Sequence, residues 1–193
     1  MSWLHRLSPW SHPRTVATPG TSAPSSMDNH SEDQRLREQV LAVHGDIVDQ
    51  VVQLAAGDEL GMADGFELRF DLLVLFVSAL LHRLHDRVAQ ASLSQMLWDV
   101  TFESLEESLR ERGVTDLRLA SRMRTLLQSA TGRRNAYLAA WDRPGDPDAI
   151  RAVIARNVLN GAAISDSRID ILLACLPGSA EHLPGIARPG CGE

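Results

Sequence analysis

The chain contains no lysine; all nineteen of its basic residues are arginine. That bias follows base composition as readily as function, so it carries no mechanistic weight. Cysteine is almost as scarce: Cys175 and Cys191 stand apart near the C-terminus in no CxxC arrangement. Nothing points to a cysteine framework, and without a leading signal peptide a reducing compartment fits. Long apolar runs are also missing. The longest, Leu72 to Leu81, has ten residues; as a helix it rises about 15 Å, half of the roughly 30 Å bilayer core. With Arg69, Asp71, His82 and Arg83 at its ends, it reads as a core helix. There is no GxSxG, P-loop, HExxH or Glu-x-x-His pair, so the usual catalytic constellations are absent and no enzyme activity is expected. Nothing calls for a cofactor.

What is present suits a single helical domain. At 193 residues with 44% apolar content, the chain is long enough to bury a real core. A net charge of -6 argues against a general nucleic-acid binder, and no DNA partner is expected. That total hides an asymmetry. The stretch Leu117 to Trp141 holds five arginines, at 118, 122, 124, 133 and 134, and no acidic residue.

The pattern predicts an all-α, single compact domain of about six helices, with no strand. Residues 1–30, rich in Ser, Pro and Thr, read as a disordered tail. Trp3, Leu4, Leu7 and Trp10 within it suit a membrane interface, while its acid-poor character equally suits an organellar transit peptide. The helical domain is expected over 31–176. Its first helix opens on a capping box of Ser31 and Gln34 and runs to Gly57. The second spans about Glu67 to Ala89, the third about Ser92 to Arg112 with Gly113 as a left-handed cap, and the fourth begins near Leu119. Asp146 before Pro147 starts the fifth, and Ser165 with Asp166 the short sixth, ended by Pro177. Residues 177–193, with Pro184, Pro189 and several glycines, form a loose tail.

Three helical faces stand out as candidate contacts. Asp71, Ser78, His82 and His85 share one arc of the second helix, a polar seam that reads as its solvent-facing edge or, more sharply, as a polar partner contact. His82 and Asp86 have the spacing of a metal-ligand pair, but no second pair accompanies them. The third helix carries two apolar arcs: Leu93, Met96, Leu97 and Val100, then Trp98, Phe102, Leu105 and Leu109. A single core needs one, so the second either packs on another helix or offers an aromatic groove to a client. On the fourth helix Arg118, Arg122 and Arg133 flank an apolar face of Leu119, Met123, Leu126, Ala130, Tyr137 and Trp141. RNA phosphates, lipid headgroups and acidic protein patches all fit such a strip. A straight helix through Gly132 would aim Arg134 into the apolar arc, so a kink or a paired arginine is expected there.

The string Leu97-Trp98-Asp99, Phe102, Leu109-Arg110-Glu111 and Gly113-Val114-Thr115-Asp116-Leu117 resembles the ubiquinol-cytochrome c chaperone family. Arg69-Phe70-Asp71-Leu72-Leu73-Val74-Leu75, Gly132-Arg133 with Ala136-Tyr137, and Ala155-Arg156-Asn157 resemble its other motifs. The resemblance covers about residues 60–160. Thr115 departs from a usual glycine, Phe76 from a histidine and Thr131 from an aromatic. The resemblance implies an all-helical, non-enzymatic assembly factor for ubiquinol-cytochrome c reductase whose client is newly made cytochrome b. In mitochondrial relatives it also implies a small partner subunit and a place at the ribosomal exit.

Together the faces and the motifs mark Arg69, Asp71, Trp98, Asp99, Phe102, Leu105, Leu109, Arg110, Asp116, Arg118, Arg122, Arg133 and Tyr137 as candidate partner contacts. The expected location is the cytoplasm, at the inner face of a bacterial inner membrane, or alternatively the mitochondrial matrix. Two rival readings remain: a peripheral membrane or ribosome-associated adaptor, and a helical enzyme with an unfamiliar site.

Overall fold

The structure, a computed structural model, describes residues 26–85 and 91–177. Six helices account for most of it, with no strand among the described residues: α1 (Ser26–Ala56), α2 (Phe66–His85), α3 (Ala91–Glu111), α4 (Asp116–Trp141), α5 (Pro147–Asn157) and α6 (Ser167–Cys175). The all-α, six-helix expectation holds. Most of the expected tail at 1–30, and nearly all of that at 177–193, lie outside the described residues, as does Asp86.

The local signals explain the breaks. Gly113, at φ 79°, closes α3 by donating to the Arg110 carbonyl at 2.9 Å while Val114 donates to that of Leu109 at 3.0 Å. This pair of bonds is a Schellman closure, which glycine permits because it has no Cβ to clash. Asp146 caps α5 through Ala149 N–H at 3.1 Å, with Pro147 just inside, and Asp166 caps α6 through Arg168 N–H at 2.9 Å.

One start differs. Ser31 lies inside α1, which begins at Ser26. Pro24 is the last residue before the helix that bars helical hydrogen bonding, so the helix extends back almost to it, past the local capping signal.

α2 is the central helix, packed by α1, α3 and α4. Leu72, Leu75, Phe76 and Val77 are each fully buried, which is why its apolar residues run on without a helical period. Ser78 sits within this helix, also buried, and satisfies itself by donating to the Val74 carbonyl at 2.6 Å. α3 lies between α1 on one side and α2 with α4 on the other. Hence both of its apolar arcs point inward, with Leu97 and Val100 buried along with Trp98, Phe102, Leu105 and Leu109. α6 is tied back to the domain by Gln50, which donates to the Cys175 carbonyl at 2.8 Å, and by Arg168, which donates to that of Leu60 at 3.1 Å.

Candidate partner-binding surface

The polar seam of α2 faces α4, contrary to the expectation that it faces solvent. Asp71 lies 3.0 Å from Arg133 Nη2, and His82 Nε2 lies 3.1 Å from an Asp142 carboxylate oxygen. The His82 ring also rests against Trp141, with centroids 5.3 Å apart. Helical periodicity marks a polar stripe but cannot separate a wet face from one matched by polar groups on a neighbour. The side chain of His85 is outside the described set.

At the Asp71 end of this seam the candidate residues Asp71, Arg133 and Tyr137 meet Asn157 of α5. The Arg133 guanidinium stacks on Phe70 at 5.6 Å, touches Ser129 Oγ, and faces Asp71 without the alignment of a hydrogen bond. Burial pushes the Asp71 carboxyl up to about 6, with Arg133 pulling it down and Glu67 pushing it further up. The Tyr137 phenol is fully buried beside the Asn157 amide, and that burial raises its pKa well above the ordinary value. Three of the four motif strings that carry the family resemblance therefore converge on one polar node joining α2, α4 and α5.

The arginine strip divides into two parts. Arg122 reaches Glu67 at 2.9 Å and lies over the Phe66 ring at 5.7 Å, so together with Arg133 it stitches α4 to α2. Arg69 is likewise committed to Asp64, at 2.5 Å and 2.7 Å. Arg118 and Arg124, by contrast, are exposed and pair with no acid among the described residues. Of the two readings of the second arc of α3, burial favours packing within the domain over an aromatic groove. Trp98, Phe102, Leu105, Leu109 and Tyr137 are core side chains, Trp98 and Phe102 packing at a centroid distance of 5.1 Å. The second arc exists because α3 is sandwiched.

What remains accessible gathers at the α3–α4 turn. Arg110, held by Glu106 at 2.6 Å, and Asp116 line an open cleft of about 240 Å³ with Glu106, Leu119, Ala120 and Met123. One residue along from Asp116, Leu117 is 95% exposed, the most exposed large apolar side chain among the described residues. The sequence carried the signal: at about 100° per residue, Leu117 falls opposite the arc of Leu119, Met123 and Leu126. Asp99, on the same helix as Arg110, is half-buried and accepts from Gln95 at 2.8 Å. No group of His, Cys, Asp or Glu able to hold a metal occurs among the described residues, and no described helix is long and apolar enough to cross a membrane.

Six helices joined by ion pairs along their edges, with Leu117 and Arg118 exposed at the start of α4, make an all-helical scaffold. The profile of the family described as "Ubiquinol-cytochrome C chaperone" matches residues 58–189, and the chain belongs to that family. Its role is thus that of an assembly chaperone for ubiquinol-cytochrome c reductase, complex III. No curated protein gave a significant match. Among solved structures, the crystal structure of the Cbp3 homolog from Brucella abortus is similar, with TM-score 0.56 and 24% identity over 78% of this chain and 83% of that one. At that identity the similarity speaks to the fold.

Proposed function

We propose that the chain holds newly made cytochrome b before it acquires haem and its partner subunits, and does so without catalysing a reaction. The observation that carries this reading is Leu117, left 95% exposed one residue along α4 from Asp116, which lines the cleft with Glu106, Arg110, Leu119, Ala120 and Met123, in a member of this chaperone family. An aliphatic side chain as bare as Leu117 offers a partner apolar area to cover. A membrane subunit awaiting assembly presents apolar helices, and the exposed Arg118 and Arg124 of α4 would meet its polar loop ends. The work takes place where cytochrome b is synthesised, at the inner face of the membrane that receives it.

The test is deletion of the gene followed by reduced-minus-oxidised difference spectra of the membranes. Loss of b-type haem absorbance, restored by the wild-type chain but not by a Leu117→Glu, Arg118→Glu variant, is the expected result. Normal absorbance and normal reductase activity in the deletion strain would overturn the reading. An adaptor held by phosphate contacts would instead lose its partner steeply as salt rises.

A further inference from the structure

Five arginines among the described residues are half-buried: Arg69, Arg133, Arg134, Arg151 and Arg168. Four of them have a carboxylate, supplied by Asp64, Asp71, Asp170 and Asp166 respectively. Arg134 has none. Its guanidinium stacks on Trp98 at 4.6 Å, its Nε is buried without a partner, and its one polar contact is a long 3.4 Å bond to the Asn135 side chain. The kink or ion pair expected from the sequence is absent, because α4 runs unbroken through Gly132 and the indole takes one face of the charge. Stacking recovers part of the desolvation cost and leaves the buried Nε unanswered, with one weak bond from Nη2 and no carboxylate for the charge.

The surroundings say what would answer them. Arg134 stands on the edge of α4 that faces α3, in line with Leu127, Thr131 and Leu138, all half-buried. About 100° per residue places Ala120 and Met123 of the open cleft on the same edge, so the cleft and the unpaired guanidinium belong to one strip. A phosphate polymer would call for several cations close together, but the neighbouring Arg133 is already spent on Asp71. A lone guanidinium framed by leucines and an indole suits a single carboxylate carried on an otherwise apolar helix.

We propose that the α3–α4 edge docks an apolar protein helix whose acidic side chain pairs with Arg134. This rests on the client-holding reading and adds the chemistry of the contact. The fork geometry of arginine gives a carboxylate two parallel hydrogen bonds, which an uncharged amide cannot match.

The probe is a Leu/Ala-based helical peptide in detergent bearing one central Asp, set against its Asn twin, with the full chain. The Asp peptide is expected to bind at least tenfold more tightly, in keeping with a charge-assisted hydrogen bond, and to crosslink at Leu138. Arg134→Gln should erase that preference while leaving the melting temperature equal or higher, since it removes an unpaired charge; Arg134→Lys should restore it in part. Equal binding of the two peptides, a lowered melting temperature in Arg134→Gln, or displacement of the Asp peptide by anionic lipid vesicles would each overturn the proposal. If the wild-type chain still captures cytochrome b while the peptides bind equally, the docking point is wrong and the chaperone reading stands. If cytochrome b is not captured, both fall.

Discussion

Replacing Asp71 by Asn isolates the pH behaviour of the node between α2 and α4. The folded carboxyl titrates near 6 against an ordinary value of 3.8, so the native state holds this proton more tightly than the unfolded chain does. Asp71 therefore costs nothing below about pH 4, and its cost grows as pH rises through that window to a plateau above about 6. A window about two pH units wide, at about 1.4 kcal/mol for each, sets the plateau at about 3 kcal/mol, an order-of-magnitude figure for a side chain 17% exposed. The clean measurement is the stability of wild type minus that of Asp71→Asn, from urea denaturation at several pH values, because the other titrating groups cancel in the difference. On going from about pH 7 to about pH 5, the wild type should gain about 1 kcal/mol relative to the variant. A difference that stays flat with pH, or that moves the other way, would refute burial as the dominant influence on Asp71.

Trp98→Ala and Phe102→Ala should each cost about 3–5 kcal/mol by leaving a cavity where the two rings pack, measured by denaturant unfolding; a loss below about 1 kcal/mol would show that α3 does not pack as described. His44 is 6% exposed, its Nε2 lacks a partner, and burial lowers its pKa. The unfolded chain thus takes up this proton first, and stability present above about pH 6.5 should drain away as pH falls through that value. His44→Gln should flatten this slope, the opposite in sign to that of Asp71. Leu117→Glu with Arg118→Glu should leave the unfolding midpoint within about 0.5 kcal/mol of wild type, as exposed positions do, while reducing cytochrome b capture at least severalfold. A full loss of folding would make those residues structural.

Where a helix begins or ends by a backbone rule, the residues alone were enough. Gly113 closes α3 and Asp146 with Pro147 opens α5 because glycine, aspartate and proline act within a turn of themselves. Ser31 misled because a capping box is only an option for the chain, and no proline between Pro24 and Ser31 forces it to be taken. The site was harder to read for the same reason the core was easy. A helical wheel shows that Trp98, Phe102, Leu105 and Leu109 form a face, but not whether the covering surface is the same chain or another; α3, set between α1 and α2 with α4, uses two faces internally. Likewise Asp71 and His82 looked wet because their partners, Arg133 and Asp142, lie more than fifty residues away. Leu117 was missed, although its spacing places it opposite the arc of Leu119, Met123 and Leu126. Arg134 was half legible: its conflict with the apolar arc showed in the spacing, and its resolution on Trp98 of another helix did not.

Whether this domain grips an unfinished membrane subunit can be measured directly, by pulse-labelling cells that carry an affinity-tagged chain and capturing it within a minute or so, then again after a long chase. Labelled cytochrome b should be recovered at the early time and be gone after the chase, with the Leu117→Glu, Arg118→Glu variant recovering little at either. Absence of labelled cytochrome b at the early time, under conditions where the tagged chain restores reductase assembly, would contradict it.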